Sequence, residues 1–303
     1  MGDIMKTYTP ITRIFIDELP VVIKREDLNE TGSQKDRGVP VQIDHHIKDG
    51  KTRFVISSSG NSAISAINRL INTEYHLTVF LSKNISTSKL LRISLILKKN
   101  ITQEDTTIQN IELKFTERPV SDAFKYANSS ESVLLRGSID PYATIGYQAI
   151  THELAEQSPG STDIFIPTSS GTTLVGIFNG YEDLKDKDPN ILIPRFHVCQ
   201  TTAVNTIARD FDTSFQPTKN SIAESIVDRV AKRYHQVSDI IKSTTGSGWV
   251  LTDAEIRKAV QLQKDLGLEL SNESALALAG MLRAMRSSKY NMDQPIVLST
   301  GVK

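Results

Sequence analysis

Short apolar runs alternate with longer amphipathic stretches along the chain. The runs are four to eight residues long and are flanked by Gly, Pro, Ser or Asn, a pattern typical of strands buried on both faces of a sheet. We predict strands at Val21–Lys24, Arg53–Ser57, Leu77–Leu81, Asp163–Pro167, Ile191–Val198 and Pro295–Leu298.

The stretches between these runs carry apolar residues at helical spacing. We predict helices at Ser62–Asn72, Pro141–Glu156, Ser221–Tyr234 and Thr252–Leu266. The last begins with TDAE, where Thr252 at the N-cap and Glu255 three residues later form a capping-box pattern. Alternating strands and helices predict an α/β protein with mostly parallel sheets.

Charge and cysteine content narrow the class of protein. The 303 residues contain 35 basic and 35 acidic side chains, and this balance lacks the basic surface typical of nucleic-acid binding. Cys199 is the only cysteine, which excludes a disulfide framework and favours a reducing cytoplasm. No apolar run approaches the ~20 residues of a membrane-spanning helix, and the N-terminus lacks the apolar core of a signal peptide. We therefore expect a cytoplasmic protein with no membrane or nucleic-acid partner.

Three small-residue turns follow predicted strands: SSSGNS at 57–62, PTSSGTT at 167–173 and STG at 299–301. A turn of this kind between a strand and a helix exposes backbone amides that favour an anion. The hydroxyls of PTSSGTT would add donors to a phosphate. Each turn by itself is also typical of a plain tight turn with a serine N-cap, and none matches a Walker loop or a GxGxxG fingerprint.

A lysine, Lys35, lies within NETGSQKDRG at 29–38, directly after an apolar run and a polar break. Taken alone, it is an ordinary lysine at the start of a helix. Combined with one turn suited to a carboxylate and another suited to a phosphate, it describes a pyridoxal-phosphate pocket.

At this point the chain resembles the fold-type II pyridoxal-phosphate enzymes (the tryptophan synthase beta-like superfamily), within them the threonine synthase-like branch. The GSxKDRG element is specific, and the other motifs fall in the family's order over nearly the whole chain. The motifs are TPI at 9–11, VVIKREDLNETGSQKDRG at 21–38, VISSSGNSAISA at 55–66, IFIPTSSGTTLVGIFNGY at 164–181, TDAEI at 252–256, NESALALAGML at 272–282 and VLSTG at 297–301.

The resemblance implies two open, twisted, mostly parallel sheets with flanking helices, and an active site in the cleft between two domains. The larger, cofactor-binding domain is expected at 1–46 and 137–303, with a smaller α/β domain inserted at 47–136. A homodimer is the family expectation.

The resemblance also implies roles for individual residues. Lys35 is the catalytic lysine that binds the cofactor aldehyde and later moves protons, and Asn61 hydrogen-bonds the cofactor's ring hydroxyl. Substrate-binding residues that take the α-carboxylate are expected at Ser58, Ser59, Gly60 and Ser62. The cofactor phosphate is expected to be held by Ser169, Ser170, Gly171, Thr172 and Thr173.

Thr300 matches the residue that faces the cofactor's pyridine nitrogen, with Ser299 as the alternative. A neutral hydroxyl there does not keep the nitrogen protonated, which goes with elimination and replacement chemistry and disfavours transamination. Glu273 precedes the small-residue helix but is shifted by two positions from the family's glutamate, with Ser271 in its place. Its alternative role is to cap that helix.

The substrate region departs from the threonine synthase pattern. In LLRGSIDPYATIGYQ, Gly137 replaces the family's asparagine, Ser138 is kept, and Ala143 stands where an arginine near the substrate phosphate is expected. A lost arginine clamp forfeits a charge-assisted pair worth about 1.5–3 kcal/mol. Arg136 is the candidate to compensate, and Ser138 is retained as a predicted substrate-binding residue.

The first functional hypothesis is therefore a pyridoxal-phosphate lyase or transferase, with threonine synthase (acting on O-phosphohomoserine) first. A serine/threonine dehydratase and a cysteine synthase-like β-replacement enzyme are the alternatives within the class. A catalytically silent binding or regulatory relative is the alternative outside it. We expect no metal site: adjacent His45 and His46 point in different directions on a helix, and Cys199 is predicted to be an inert core thiol.

Overall fold

The computed structural model describes residues 8–287 and 289–302. The chain forms two compact units: a large unit up to Gln34 and from Tyr147 onward, and a small unit from Lys35 to Gly146. The predicted domain boundaries lay at 46/47 and 136/137, so the units differ from them at both junctions. At the first junction the reason is packing, because Val39 and Ile43 of the first helix belong to the core of the small unit.

The large unit is built on a six-stranded sheet in the order β1-β2-β11-β8-β9-β10. Only the edge pair β1–β2 is antiparallel, and the other pairs are parallel. Its strands are β1 (Ile11–Ile16), β2 (Leu19–Arg25), β8 (Asp163–Pro167), β9 (Arg195–Thr201), β10 (Ser247–Leu251) and β11 (Ile296–Ser299). The helices are α5 (Gln148–Gln157), α6 (Thr172–Lys187), α7 (Tyr234–Ser243), α8 (Asp253–Asp265) and α9 (Asn272–Arg286).

This sheet is buried on both faces. Ile23 and Phe165 belong to one apolar cluster, whereas their chain neighbours Val22 and Ile164 belong to another. Successive side chains of a strand point to opposite faces, so an uninterrupted apolar run fills two cores at once. This confirms that the runs are the strands of a largely parallel sheet.

The small unit carries a five-stranded sheet in the order β5-β6-β4-β3-β7, antiparallel only at the β5–β6 edge. Its strands are β3 (Arg53–Ser57), β4 (His76–Ser82), β5 (Thr106–Ile108), β6 (Ile111–Thr116) and β7 (Val133–Leu134). Its helices are α1 (Lys35–Lys48), α2 (Asn61–Leu70), α3 (Thr87–Leu97) and α4 (Pro119–Ser130). Both units confirm the predicted α/β class.

Most predicted elements are present, with shifted ends. β9 begins at Arg195 instead of Ile191, because Ile191 and Ile193 pack against the core from an irregular segment. The Asp-Pro stretch forms a 3-10 helix (Pro141–Tyr147) before α5 begins at Gln148. The five strands that the pattern did not indicate are β1, β5, β6, β7 and β10.

The predicted helix at 221–234 is wrong. Its apolar spacing suits a helix, but side chains elsewhere in the large unit take the backbone amides that a helical ladder would need. Asp253 accepts from Ile222 N, and Glu273 accepts from Ser225 N at 2.9 Å. An α-helix begins only at Tyr234. Among residues 8–287 and 289–302, no helix has the length and apolar character needed to cross a membrane.

Candidate active site

Lys35 is the first residue of α1, and the chain just before it is joined to the STG turn. Ser33 pairs with Gly301 in an isolated antiparallel bridge. Gln34 N donates to Thr300 O at 3.1 Å, and Val302 N donates to Gly32 O at 2.9 Å. The backbone that leads into Lys35 is therefore fixed beside Thr300 and Gly301 of the STG turn.

The first turn of α1 lies against the end of the small unit. A Cβ built on Gly146 would lie 1.8 Å from the carbonyl oxygen of Arg37, so any side chain at position 146 would collide with the KDRG turn. Lys35, Asp36 and Arg37 are each half-buried. The motif is thus held by close backbone packing that only glycine permits.

The SSSGNS turn connects β3 to α2. Gly60 is the N-cap of α2 and provides no side-chain cap, so the helix start presents amides to a ligand or to water. Ser58 Oγ accepts from Gly60 N at 3.2 Å, which shapes the turn. Asn61 is the first helical residue, and its Oδ1 accepts from Arg92 Nη1 at 2.8 Å. Ser58, Ser59, Gly60 and Ser62 are half-buried, as expected for residues that contact a small molecule.

Ser138 lies near this turn by sheet topology. β3 and β7 are neighbouring parallel strands, with Val55 opposite Leu134, and carboxyl ends of parallel strands meet at one edge of the sheet. The SSSGNS turn and Ser138 both follow this edge. Ser138 is 9% exposed, and Ala143 is 3% exposed, so position 143 is packed against protein. Arg136, the candidate replacement, is half-buried.

The PTSSGTT turn connects β8 to α6. Gly171 is the N-cap residue with φ +84°, and no side chain caps the helix. A Cβ at this position would lie 2.4 Å from Val237 Cγ2 of α7, so both backbone conformation and space require glycine. Ser170 Oγ lies 2.9 Å from Thr172 Oγ1. Buried hydroxyls and uncapped amides at a helix start are the donors that a phosphate prefers.

Ser169 has an additional role. Its Oγ accepts from Val227 N and Asp228 N, both at 3.1 Å. These bonds hold the irregular segment after β9 against the turn and orient the Ser169 hydroxyl. Because the oxygen of Ser169 accepts both of these bonds, its hydroxyl proton remains to be donated to a phosphate.

Thr300 follows β11, which pairs in parallel with β8, so the STG and PTSSGTT turns leave neighbouring strands at one edge of the large sheet. Ser299 is fully buried; its Oγ donates to Asp27 Oδ1 at 2.6 Å and lies 3.0 Å from Ser274 Oγ. Within the described residues, the Thr300 hydroxyl makes no hydrogen bond to protein. Of the two candidates, Thr300 is therefore the one whose hydroxyl remains for a ligand.

The helix-capping alternative for Glu273 does not match the structure. Ser271 is the N-cap of α9, and its Oγ accepts from Ser274 N at 3.2 Å. Glu273 instead accepts from Ser225 N. It therefore fixes the same irregular segment that Ser169 holds.

The two histidines and the cysteine have packing partners. His46 Nε2 lies 2.7 Å from Asp140 Oδ2, and His45 stacks on Tyr142 with ring centroids 4.8 Å apart. Cys199 is fully buried in β9, and burial raises the pKa of its thiol. Among the described residues, no group of three or more His, Cys, Asp or Glu side chains is placed to hold a metal ion.

A cavity of about 330 Å³ in the large unit lies elsewhere. Residues of β10, the end of α9 and the segment around Asp212 line it, and none of them is a predicted site residue. Arg283 at this cavity is already paired with Asp212 and Glu255. The predicted cofactor-binding residues therefore lie in the turns at the strand ends, and none of them lines this cavity.

The sequence did not predict the buried positions or the hydrogen bonds of two residues, Lys24 and Arg92. Lys24 is fully buried and bonded to Glu153 and Gln157, although a lysine at the end of an apolar run is typical of a position at the surface. Arg92 lies on α3 and bonds Asn61. The only signal in the sequence is that Lys89 and Arg92 are the two charged residues of a helix made otherwise of apolar and hydroxyl residues, and their spacing of three places them on one face.

A family model described as pyridoxal-phosphate dependent enzyme matches residues 6–300. Threonine synthase from Methanosarcina acetivorans is 22% identical over 295 residues, covering 92% of this chain and 69% of that protein. Maize serine racemase superposes with a TM-score of 0.78 at 17% identity, covering 97% of this chain and 88% of that one. A fungal L-serine ammonia-lyase from Rhizomucor miehei gives 0.75 at 17% identity, covering 97% and 93%.

The donors described above fit the cofactor that this family uses. A lysine amine suits an aldehyde, the uncapped start of α6 with its buried Thr172 and Thr173 suits a phosphate, and the Thr300 hydroxyl suits a neutral ring nitrogen. The chain belongs to the pyridoxal-phosphate dependent enzyme family, in its fold-type II group, and its cofactor is pyridoxal 5'-phosphate.

Proposed function

We propose that this protein catalyses elimination or replacement at the β or γ carbon of an amino acid, with a threonine synthase-like activity as the first candidate. The observation that carries the proposal is the position of Lys35 at the start of α1, directly after a segment bonded to the STG turn. Because the backbone before Lys35 is held in this way, the Lys35 side chain starts from a defined position next to the STG turn. Pyridoxal phosphate, when bound, supplies the electron sink for carbanion chemistry.

We assign the chain's residues the following tasks. Lys35 would hold the cofactor aldehyde through its amine, and the same amine would serve as the base for the proton on the substrate's Cα. The amides and hydroxyls of the SSSGNS turn bind the substrate α-carboxylate, and those of PTSSGTT bind the cofactor phosphate. The Thr300 hydroxyl would face the ring nitrogen as a neutral partner, which favours elimination and replacement over transamination.

Threonine synthase is placed first because the matched relatives with that name cover most of this chain. A serine/threonine dehydratase is the second candidate, and the packing around Ala143 favours it. Position 143 is a buried alanine where the threonine synthase pattern has an arginine near the substrate phosphate, and a hydroxyl leaving group needs no such arginine. A cysteine synthase-like replacement is tested in the same assay.

The cofactor assignment is tested by borohydride reduction of the protein incubated with pyridoxal phosphate. We expect a visible absorbance band that reduction removes, with the label found by peptide mass mapping at Lys35. Lys35→Ala is expected to lose the band and the label, whereas Lys48→Ala, a change at an exposed lysine of the same helix, keeps both. Absence of bound cofactor, or label at another lysine, would refute the assignment.

The substrate is tested by assaying O-phosphohomoserine, L-serine, L-threonine, and O-acetylserine with sulfide. Release of phosphate with formation of threonine supports the first candidate, and an α-keto acid from serine or threonine supports the second. Sulfide consumption supports β-replacement. Bound cofactor with no turnover of any substrate would favour a silent binding protein. We further propose a cytoplasmic homodimer, and light scattering of the purified protein checks the dimer.

A further inference from the structure

The side chain of Asn61 is bonded to a charged partner on its own unit. Asn61 begins α2, and Arg92 lies on α3, which packs against α2. The guanidinium Nη1 of Arg92 donates to Asn61 Oδ1 at 2.8 Å. Within the described part of the chain, this is the hydrogen bond that the structure gives the Asn61 side chain.

This bond settles which way the amide of Asn61 faces. A guanidinium has only donors, so the atom of Asn61 that meets Arg92 is the carbonyl oxygen. The NH₂ group then faces away from Arg92. Whatever lies on that side of Asn61 meets a hydrogen-bond donor, and an ionised ring oxygen is an acceptor that fits it.

Arg92 also lies within electrostatic range of Asp36, near the start of α1. It is half-buried, and its pKa is lowered by burial, while the charge of Asp36 acts in the opposite direction. Asp36 follows Lys35 directly in the chain. The guanidinium therefore feels the charge of Asp36 in the first turn of α1 and donates to the first residue of α2.

We propose that Arg92 is a positioning residue that fixes the Asn61 amide with its NH₂ group toward the cofactor's ring oxygen. The inference rests on the proposed role of Asn61 in the cofactor site. A charge-assisted bond to Oδ1 keeps one orientation of the amide and polarises it, which strengthens its NH₂ group as a donor. The ring oxygen is thereby held in its ionised form.

The test measures pyridoxal-phosphate affinity by titrating apoprotein, together with the ratio of visible to near-ultraviolet absorbance of the bound cofactor. Arg92→Gln removes the charge and is expected to weaken binding about tenfold and to lower the visible fraction. Arg92→Lys keeps a charged donor and is expected to restore most of both. Arg69→Gln, which removes an arginine bonded to Asp44 in the same unit, is the matched control and leaves both unchanged.

A double-mutant cycle separates positioning from a general structural effect. If Arg92 acts through Asn61, Arg92→Gln changes affinity less than about twofold in an Asn61→Ala background. Equal losses in both backgrounds, or an unchanged absorbance ratio in Arg92→Gln, would overturn the proposal. Should Arg92→Gln fail to fold, Asn61→Asp serves instead: it can still pair with Arg92 but lacks the NH₂ donor, so wild-type affinity there would also overturn it.

These outcomes are distinct from failure of the proposed function. If wild-type protein binds no pyridoxal phosphate, the cofactor site itself is wrong. If the wild-type protein binds pyridoxal phosphate, and Asn61→Ala weakens this binding whereas Arg92→Gln does not, then only the proposed role of Arg92 is wrong.

Discussion

Lys24 shows how a single residue escapes sequence reasoning. Its side chain is fully buried in the large unit, where Nζ donates to Thr9 O at 2.7 Å, to Gln157 Oε1 at 2.9 Å and to Glu153. Burying a charge is costly unless a partner and hydrogen bonds compensate it. These bonds meet that need, but the two side-chain acceptors, Glu153 and Gln157, come from α5, more than a hundred residues away in sequence.

Removing the carboxylate from this buried pair should destabilise the large unit strongly. We expect Glu153→Ala to lower the free energy of unfolding by about 3 kcal/mol, because the buried Lys24 ammonium loses its hydrogen-bonded carboxylate and keeps the more distant Glu26 at 4.0 Å. Urea denaturation followed by fluorescence of Trp249, which lies in the same unit, measures it.

Two controls accompany this prediction. Glu156→Ala, on an exposed position of the same helix, should change stability by less than about 0.5 kcal/mol. The double variant Lys24→Met with Glu153→Leu should recover most of the loss, since apolar replacements of buried ion pairs are often tolerated. A small effect of Glu153→Ala alone would show that water or another group compensates Lys24.

At the scale of elements, local signals succeed where the partners are close in sequence. The capping box of α8 is present as predicted: Glu255 N donates to Thr252 Oγ1 at 3.3 Å, and Thr252 N donates to Glu255 Oε2 at 2.9 Å. Residues 221–234 show the opposite case. Their helical spacing is overridden because Ser169, Asp253 and Glu273 accept the amides of that segment.

Loss of the α8 cap has a predictable cost. We expect Thr252→Ala to reduce the free energy of unfolding by about 1 kcal/mol, because the helix loses the side chain that satisfies an amide of its first turn. Thr252→Ser retains the hydroxyl and should stay close to wild type. Thermal and urea unfolding of the three proteins compare them, and equal losses in both variants would show that the methyl group matters instead of the hydrogen bond.

At the scale of the whole molecule, a buried ion cluster ties the large unit's stability to pH. His197 is fully buried and bonded to Asp163 at 2.9 Å, and Trp249 Nε1 donates to its Nδ1 at 3.2 Å. Burial lowers the pKa of His197, although Asp163 opposes the shift. Burial alone would raise the pKa of Asp163, but hydrogen bonds from His197, Arg195 and Thr162 outweigh it and lower that pKa.

Both shifts predict that acid destabilises the large unit. A histidine whose pKa is lower in the folded state binds more protons when unfolded, so stability falls as the pH drops below about 6.5. The lowered pKa of Asp163 adds a second loss as the pH falls below about 3.9. Urea midpoints measured across pH should therefore decline in two stages.

The first stage is assigned by substitution. His197→Gln should be less stable overall but should lose less between neutral pH and mildly acidic pH. His76→Gln, at an exposed position of β4 in the small unit, should keep the wild-type pH dependence. A wild-type profile that is flat in this range would contradict the assignment.

The sequence by itself determined the α/β class, four of the six strands of the large sheet, two of the five strands of the small sheet, and the cofactor; the motif residues from Lys35 to Thr300 stay a prediction. These follow from local patterns: the period of apolar residues, the small-residue turns and one specific lysine motif. Because side chains alternate along a strand, the sequence also indicates which residues of an apolar run share a face of the sheet.

Only the tertiary structure decided the rest. It shows that Lys24 is buried in an ion pair, that residues 221–233 are irregular, that Ser299 belongs to a buried hydrogen-bond network, and that Arg92 donates a hydrogen bond to Asn61. The physical reason is the same in each case. A buried polar group takes the conformation that its hydrogen-bond partners allow. Here those partners are distant in the chain, and the local periodicity of the sequence carries no information about distant partners.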